Sequence, residues 1–448
     1  MVGFLEGVVM TDKKRQVVIL AGGKGTRLKE VSGDLPKPMV PILGRPLLQY
    51  LIERCVEHGI TDIKLLVSYK REVIKDYFGD GSQYGAFIKY IIEDTPRGTA
   101  GALIDALPEL NNQFLVIYGD TFFDIDLGAF WGFHQKQMGD ASIFLHPNDH
   151  PHDSDLVEVD AGLRVQKIHP YPHDTQWRQN LVNAAVYMFN KEALQGVDFA
   201  SNKPDIAKEL FPLMLSVGKG IYGYISTEYI KDMGTPKRLS KVERDITSGK
   251  VEFLKKKKPK VAIFLDRDGT INQEVNHLSD VDQFEIIDGV SEAICQINAA
   301  GILVVVVTNQ PVISRGDLKE SELQIIHNKM DTLLGKQGAY IDRLYYCPHH
   351  TDSGFEGEIA KFKFDCNCRK PKIGMFEQAR DDLNIVLGES WMIGDSTRDI
   401  LAAQNAGMKS ILVQTGIAGK DGSYKITPDF IAKDLSEAVG LILKEINK

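Results

Sequence analysis

Two aspartates one residue apart, Asp266 and Asp268, close the apolar run Val261–Leu265 in the stretch VAIFLDRDGTIN. Such a run reads as a short buried strand, and open α/β sheets bind ligands at the carboxyl edge of their strands. Gly269 permits a sharp turn there, and Thr270 adds a hydroxyl. Two carboxylates this close in a phosphate site call for a hard cation such as Mg²⁺. Asp266 is then the expected nucleophile, forming an aspartyl-phosphate. Asp268 is expected to protonate the leaving alkoxide and later to activate water.

Later segments supply the remaining parts of this chemistry. The apolar strand expected at Ile302–Val307 ends in Thr308, Asn309 and Gln310, a hydroxyl and amides suited to phosphate oxygens. Arg369, Lys370 and Pro371 place two cations on a stiff turn; Arg369 and Asn309 are candidate substrate contacts. Thr308 and Lys370 would hold and neutralise the phosphoryl group. The sequence GDSTRD brings Asp395 and Asp399 to another strand end, and Asp395 would complete a Mg²⁺ site with Asp266 and Asp268.

A second set of residues lies near the start of the chain. The strand expected at Gln16–Ala21 runs into Gly22, Gly23, Lys24, Gly25, Thr26 and Arg27. Glycines at this density leave backbone N–H groups open to phosphate oxygens, and Arg27 adds a forked cation. The loop lacks the ending of a P-loop and the third glycine of the dinucleotide fingerprint. Lys37 sits in DLPKPMVPIL, held by Pro36, Pro38 and Pro41, and could neutralise a transferring phosphate. Gly98 and Thr99 form a tight turn that could approach a base or simply pack. Asp120 and Asp232 follow strand-like runs and could share one cation. Asn183 could face a sugar. His146, His150, His152, His169 and His173 fit a solvated or substrate-facing loop better than a metal cluster.

The five cysteines include three late ones. Cys347, Cys366 and Cys368 cluster with histidines, a pattern of metal binding in a reducing compartment.

These residues need a frame. A chain of 448 residues suggests two or three domains. Strand-like and helix-like stretches alternate, as in α/β layer folds with largely parallel sheets. We expect a first domain at 14–240, a linker at 241–259 and a second domain at 260–448. The lysine run at 255–260 reads as a solvated junction, and Ile431–Leu443 as a closing helix. The formal charge of -8 argues against a nucleic-acid partner. No apolar run is long enough for a membrane span and no signal peptide is evident, so a cytoplasmic location is expected.

DRDGT, VTNQ, RKP and GDSTRD resemble the haloacid-dehalogenase-like phosphatases. CPHH followed by CNC is most similar to their heptose-bisphosphate and histidinol-phosphate branch. That resemblance implies a capless α/β phosphatase with a structural Zn²⁺ on Cys347, His349, Cys366 and Cys368. LAGGKGTRL, DLPKPMVPI, EDTPRGTAGAL, YGD and DMGTP resemble the sugar-1-phosphate nucleotidyltransferases, with a Rossmann-like fold. Here the resemblance implies a nucleotide loop from Ala21 through Gly22, Gly23, Gly25, Thr26 and Arg27, joined by Gly98 and Thr99. It also implies phosphate contact by Lys37, and Mg²⁺ on Asp120 and Asp232. Fused, the two imply successive steps towards GDP-heptose. The expected substrates are a heptose 1,7-bisphosphate of the α-anomer, the heptose 1-phosphate it yields, and GTP. A histidinol phosphatase fused to another sugar transferase, or a non-catalytic regulator, are the alternatives. The oligomeric state stays open.

Overall fold

The computed structural model describes residues 14–23, 33–174 and 176–446. The strands Gln113–Tyr118, Gln16–Leu20, Asp62–Val67 and Phe87–Ile92 lie side by side and parallel, in that order. The helices Leu47–Glu57, Arg71–Phe78 and Gly98–Ala106 link them. Every residue of Gln16–Leu20 is buried or nearly so, as the middle strand of such a sheet requires.

Beyond Gln113–Tyr118 the sheet turns antiparallel. Val182–Asn190 pairs with it and also with Ala141–His146 and Leu156–Val159. The expectation of a largely parallel sheet therefore holds for those four strands, whereas this half is mixed, with Ile221–Ile225 parallel to Ala141–His146. The turn between Leu156–Val159 and Val165–His169 is too short for a crossover, so only antiparallel pairing is open to it. A separate ribbon joins Thr121–Asp124 to Tyr229–Asp232, with Asp232 opposite Thr121. Asp120 and Asp232 thereby reach the same end of the ribbon.

The second half is one parallel six-stranded sheet. Its order is Arg343–Cys347, Leu303–Asn309, Ala262–Leu265, Trp391–Gly394, Lys409–Val413, Phe430–Ala432. Asp266, Thr308 and Asp395 all lie at the carboxyl ends of its central strands. The single closing helix expected at the C-terminus is instead a short edge strand, Phe430–Ala432, followed by the helix Leu435–Ile446. Three residues carry too little periodicity to reveal such a strand.

The junction also differs from expectation. Helix Pro236–Thr247 is capped by Thr235, whose side chain accepts from the Arg238 amide. Val242, Val251 and Leu254 belong to one apolar core that runs from Ile19 to Phe264. Lys260 is buried, and its ammonium donates to the carbonyls of Lys255, Lys256 and Lys258. Lys255 pairs with Asp124 and Glu252. Lys256, Lys257 and Lys258 are exposed, so the solvated junction holds for most of the lysine run; Lys260 turns inward, because a turn's own carbonyls can replace water around an ammonium. Among the described residues no helix is long and apolar enough to cross a membrane.

Candidate active sites

The second sheet carries a compact acidic pocket. Carboxylate oxygens of Asp266, Asp395 and Asp399 all lie within 4.8 Å of one another. Lys370 Nζ sits 3.0 Å from Asp266 Oδ1 and 2.6 Å from Asp399 Oδ1. One lysine against three carboxylates leaves an excess of negative charge. Burial, together with Asp266 and Asp399, pushes the Asp395 carboxyl up to about 8. Burial and the neighbouring Asp399 likewise raise Asp266. Hard oxygens with surplus negative charge fit a divalent cation such as Mg²⁺.

Glycine shapes this pocket. A Cβ on Gly269, whose φ is +74°, would lie 2.1 Å from Asp395 Oδ2, and one on Gly416 would lie 2.2 Å from the same atom. The Ile417 amide donates to Asp395 Oδ2 at 2.7 Å. Asp395 is therefore held between two glycine turns that no larger residue could occupy.

The Asp268 carboxylate lies outside the group formed by Asp266, Asp395 and Asp399. Arg267, wholly buried, donates Nη2–H bonds to both Asp268 oxygens at 2.8 Å. Asn272 and Gln310 donate to the same carboxylate. Burial works to raise this group, but the guanidinium and the two amides hold it below the usual carboxylate range. Asp399 joins the cluster with its oxygens held by Lys370 and by Ser396. Arg267 was invisible as a site residue in the sequence, because a lone arginine between two aspartates is normally solvated; Gln310, expected near phosphate, binds Asp268 and Thr308.

Thr308 is buried beneath the pocket and accepts a bond from Gln310 Nε2 at 2.9 Å. The Asn309 side-chain amide clamps the Lys370 backbone from both sides, at 3.0 and 3.1 Å. It positions Lys370 while still lining the pocket. Arg369 lines the pocket with Asp266, Asn309 and Arg398, and its guanidinium also donates to the His349 carbonyl.

That carbonyl belongs to the cysteine cluster. Cys347, His349, Cys366 and Cys368 converge within 4.8 Å. The sulfurs lie 3.2 to 3.5 Å apart, and His349 Nδ1 is 3.2 Å from Cys368 Sγ. Donors about 2.3 Å from a tetrahedral ion stand roughly 3.8 Å from each other. Three thiols and an imidazole at nearly that spacing fit a metal. His350 lies outside this group, and its Nδ1 accepts from the Asp352 amide.

In the first sheet, Ala21 and Gly22 leave the middle strand beside Ser68 and Glu93; a Cβ on Gly22 would sit 3.3 Å from Ser68 Cβ. Gly23 is open. Gly25, Thr26 and Arg27 lie outside the described residues. Lys37 and Asp120 are brought together, Nζ to Oδ2 at 2.5 Å. Asp232 pairs with Arg238 at 2.6 Å, and Arg238 also reaches Asp153. Both acids thus carry their own cation, so a divalent ion there needs Lys37 and Arg238 to turn towards other anions.

Gly98 and Thr99 are bound into packing. A Cβ on Gly98 would lie 2.5 Å from the Pro204 carbonyl. The Thr99 hydroxyl donates to Asp205 and accepts from the Ile206 amide, both at 2.9 Å. The Thr99 hydroxyl is therefore engaged within the protein, and Gly98 is packed against the 203–204 backbone.

Asp232 and Asn183 do share a cavity of about 480 Å³, lined also by His146, His150, Lys208 and Arg238. Of the five histidines, two face this cavity. His169 pairs with Glu158, and no metal cluster forms from the group among the described residues. Arg238 and Lys208 went unassigned because nothing in sequence ties them to a common wall.

Comparison with known proteins follows the same division. A nucleotidyl transferase family model matches residues 16–249, and a HAD-hydrolase-like model matches residues 367–438. The D-glycero-beta-D-manno-heptose-1,7-bisphosphate 7-phosphatase of Haemophilus ducreyi is 45% identical over 161 residues, 36% of this chain and 86% of that protein. The mannose-1-phosphate guanylyltransferase of Mycobacterium tuberculosis is 32% identical over 242 residues, 54% of this chain and 67% of the other. The crystal structure of HddC from Yersinia pseudotuberculosis is 30% identical, with a TM-score of 0.45; the match covers 52% of this chain and 99% of that one.

Proposed function

The chain belongs to the nucleotidyl transferase family, with a HAD-like phosphatase as its second half, and from this premise we propose a bifunctional enzyme of GDP-heptose synthesis. The phosphatase removes the 7-phosphate of D-glycero-D-manno-heptose 1,7-bisphosphate. The transferase moves GMP from GTP onto the resulting heptose 1-phosphate and releases pyrophosphate. We assign 14–240 to transfer, 260–448 to hydrolysis, and 241–259 to the packed junction. The single observation that carries the reading is the pairing, on one chain, of the Asp266–Lys370–Asp395 pocket with a half similar to a guanylyltransferase.

In hydrolysis, Asp266 attacks phosphorus and Lys370 neutralises the phosphoryl oxygens, with Thr308 beneath them. Asp266, Asp395 and Asp399 would hold Mg²⁺, which lets two anions approach. Asp268 gives its proton to the leaving alkoxide and afterwards takes one from water. The guanidinium of Arg267 suits the second task, since it keeps Asp268 anionic; an arriving phosphate dianion raises Asp268 for the first. Cys347, His349, Cys366 and Cys368 would hold Zn²⁺ and so fix the segment that carries Arg369 and Lys370.

In transfer, the sugar phosphate is already anionic, so positioning and charge neutralisation do most of the work. The chain opens from buried Ala21 through Gly22 to exposed Gly23, and this turn suits the triphosphate. Asp120 and Asp232 would hold Mg²⁺, releasing Lys37 and Arg238 to the phosphates. Asn183 faces the sugar.

Mass-resolved product analysis with each anomer of the bisphosphate, Mg²⁺ and GTP tests the reading. The α-anomer should give heptose 1-phosphate alone without GTP, and GDP-heptose with it. The phosphatase relatives are named for the β-anomer, so exclusive turnover of that form would reassign the anomer. Turnover of histidinol phosphate alone would overturn the heptose assignment.

A further inference from the structure

The loops that line the transferase cavity are backed by the phosphatase domain. The cavity loops carry His146, Asn148, His150, Ser154 and Asn183. Asn148 is held by Asn180, which accepts from its amide at 3.2 Å and donates to its carbonyl at 2.8 Å. Asn148 in turn accepts from the His150 amide at 2.9 Å, and His150 Nδ1 lies 3.1 Å from Ser154 Oγ. The pose of His150 therefore depends on where Asn180 sits.

Residues 177–180 have no regular secondary structure. Their backbone polar groups find partners on helix Glu320–Lys336 of the other domain. Thr332 Oγ1 accepts from the Arg178 amide at 2.9 Å and donates to the Arg178 carbonyl at 3.1 Å. Asp331 Oδ2 accepts from the Asn180 amide at 3.1 Å. The Lys329 and Lys336 ammoniums lie 5.5 and 5.6 Å from the Trp177 ring centre. One turn further along, Gly335 faces Pro151, and a Cβ there would come within 2.4 Å of Pro151 Cγ. A loop whose buried amides are satisfied only by a second domain has no fixed pose without it.

We propose that Asp331, Thr332 and Gly335 of the phosphatase domain are positioning residues for the sugar subsite of the transferase. They act through Asn180 and Pro151 on the loop that presents Asn148 and His150. The inference rests on the reading of this cavity as the sugar-phosphate site. It goes beyond that reading in making the fusion a structural requirement for sugar recognition, and not only a tether between two activities.

Steady-state kinetics on the full chain test it, with a panel of sugar 1-phosphates and GTP. Failure of heptose 1-phosphate alongside turnover of another sugar would refute the heptose assignment; the positioning test then runs on that sugar. Thr332→Val keeps the shape and removes both hydrogen bonds. Its KM for the sugar phosphate should rise roughly five- to tenfold, with KM for GTP and the phosphatase kcat/KM unchanged. Thr332→Ser should restore the wild-type value. Gly335→Ala favours the helix intrinsically yet should raise the same KM by displacing Pro151. Sugar KM values within twofold of wild type in both variants would overturn the proposal. So would equal rises in the KM for GTP and for sugar.

Discussion

Arg267 and Asp268 are neighbours in sequence and form an ion pair at the floor of the phosphatase pocket, with the guanidinium wholly buried. His327 Nε2 lies 3.3 Å from Arg267 Nη1, and burial beside that charge drives the imidazole down to about 3. A neutral His327 can accept from Arg267 without competing with Asp268. Arg267→Met leaves Asp268 without its counter-charge, so its pKa rises. The acid limb of the phosphatase pH profile should move to higher pH, with kcat/KM about 10²-fold lower near neutrality. An unchanged limb would show that Arg267 does not set the ionisation of Asp268.

The cysteine cluster predicts a metal-dependent phosphatase segment. Metal analysis of the purified chain should find one zinc per molecule. Cys368→Ser should lose that zinc and lower phosphatase activity about tenfold or more, since Arg369 is tied to the His349 carbonyl. Transferase activity should persist. Full phosphatase activity in a zinc-free chain would remove the structural role.

Lys37 and Asp120 predict the opposite selectivity. Lys37→Met removes the cation that faces Asp120 at 2.5 Å. Pyrophosphate release from GTP and heptose 1-phosphate should fall about 10²- to 10³-fold, with hydrolysis of the bisphosphate untouched. Equal loss of both activities would indicate unfolding and not a local role.

Asp342 makes stability pH-dependent. Its carboxylate accepts from the Val304 amide at 2.8 Å. Burial pushes it up to about 7, against the pull of that amide, Lys250 and Arg343. An unfolded aspartate titrates near 3.9. Between these values the folded chain holds the extra proton, so stability falls as pH rises from about 4 to about 7. The effect amounts to about 4 kcal/mol at most. Asp342→Asn should flatten that dependence and raise Tm at pH 8 relative to wild type. Parallel Tm curves for the two proteins would contradict it.

Much of this was legible because catalytic residues here sit at strand ends. Asp266, Thr308, Lys370 and Asp395 each follow an apolar run or a stiff turn, and the sheet order brings those ends together. A metal-type cluster of Cys347, Cys366 and Cys368 was legible from residue chemistry, and His349 was added by the family resemblance. What escaped notice depends on side-chain direction. Nothing local says that Arg267 folds back on Asp268, that Asn309 clamps Lys370, or that Thr99 is consumed by Asp205. The inward turn of Lys260 escaped for a related reason, since nothing in the lysine run says which ammonium folds back onto the carbonyls of Lys255, Lys256 and Lys258. The pairing of Thr332 with Arg178 spans two domains and leaves no periodic trace.

The most direct test of the account is a one-pot ³¹P NMR time course with wild type and Asp266→Asn, heptose 1,7-bisphosphate, Mg²⁺ and GTP. Wild type should release phosphate first and then pyrophosphate in equal amount. The variant should release neither from the bisphosphate, yet should form pyrophosphate at the wild-type rate when given heptose 1-phosphate. Pyrophosphate from the variant with the bisphosphate, or none with the monophosphate, would contradict two successive reactions at two independent sites.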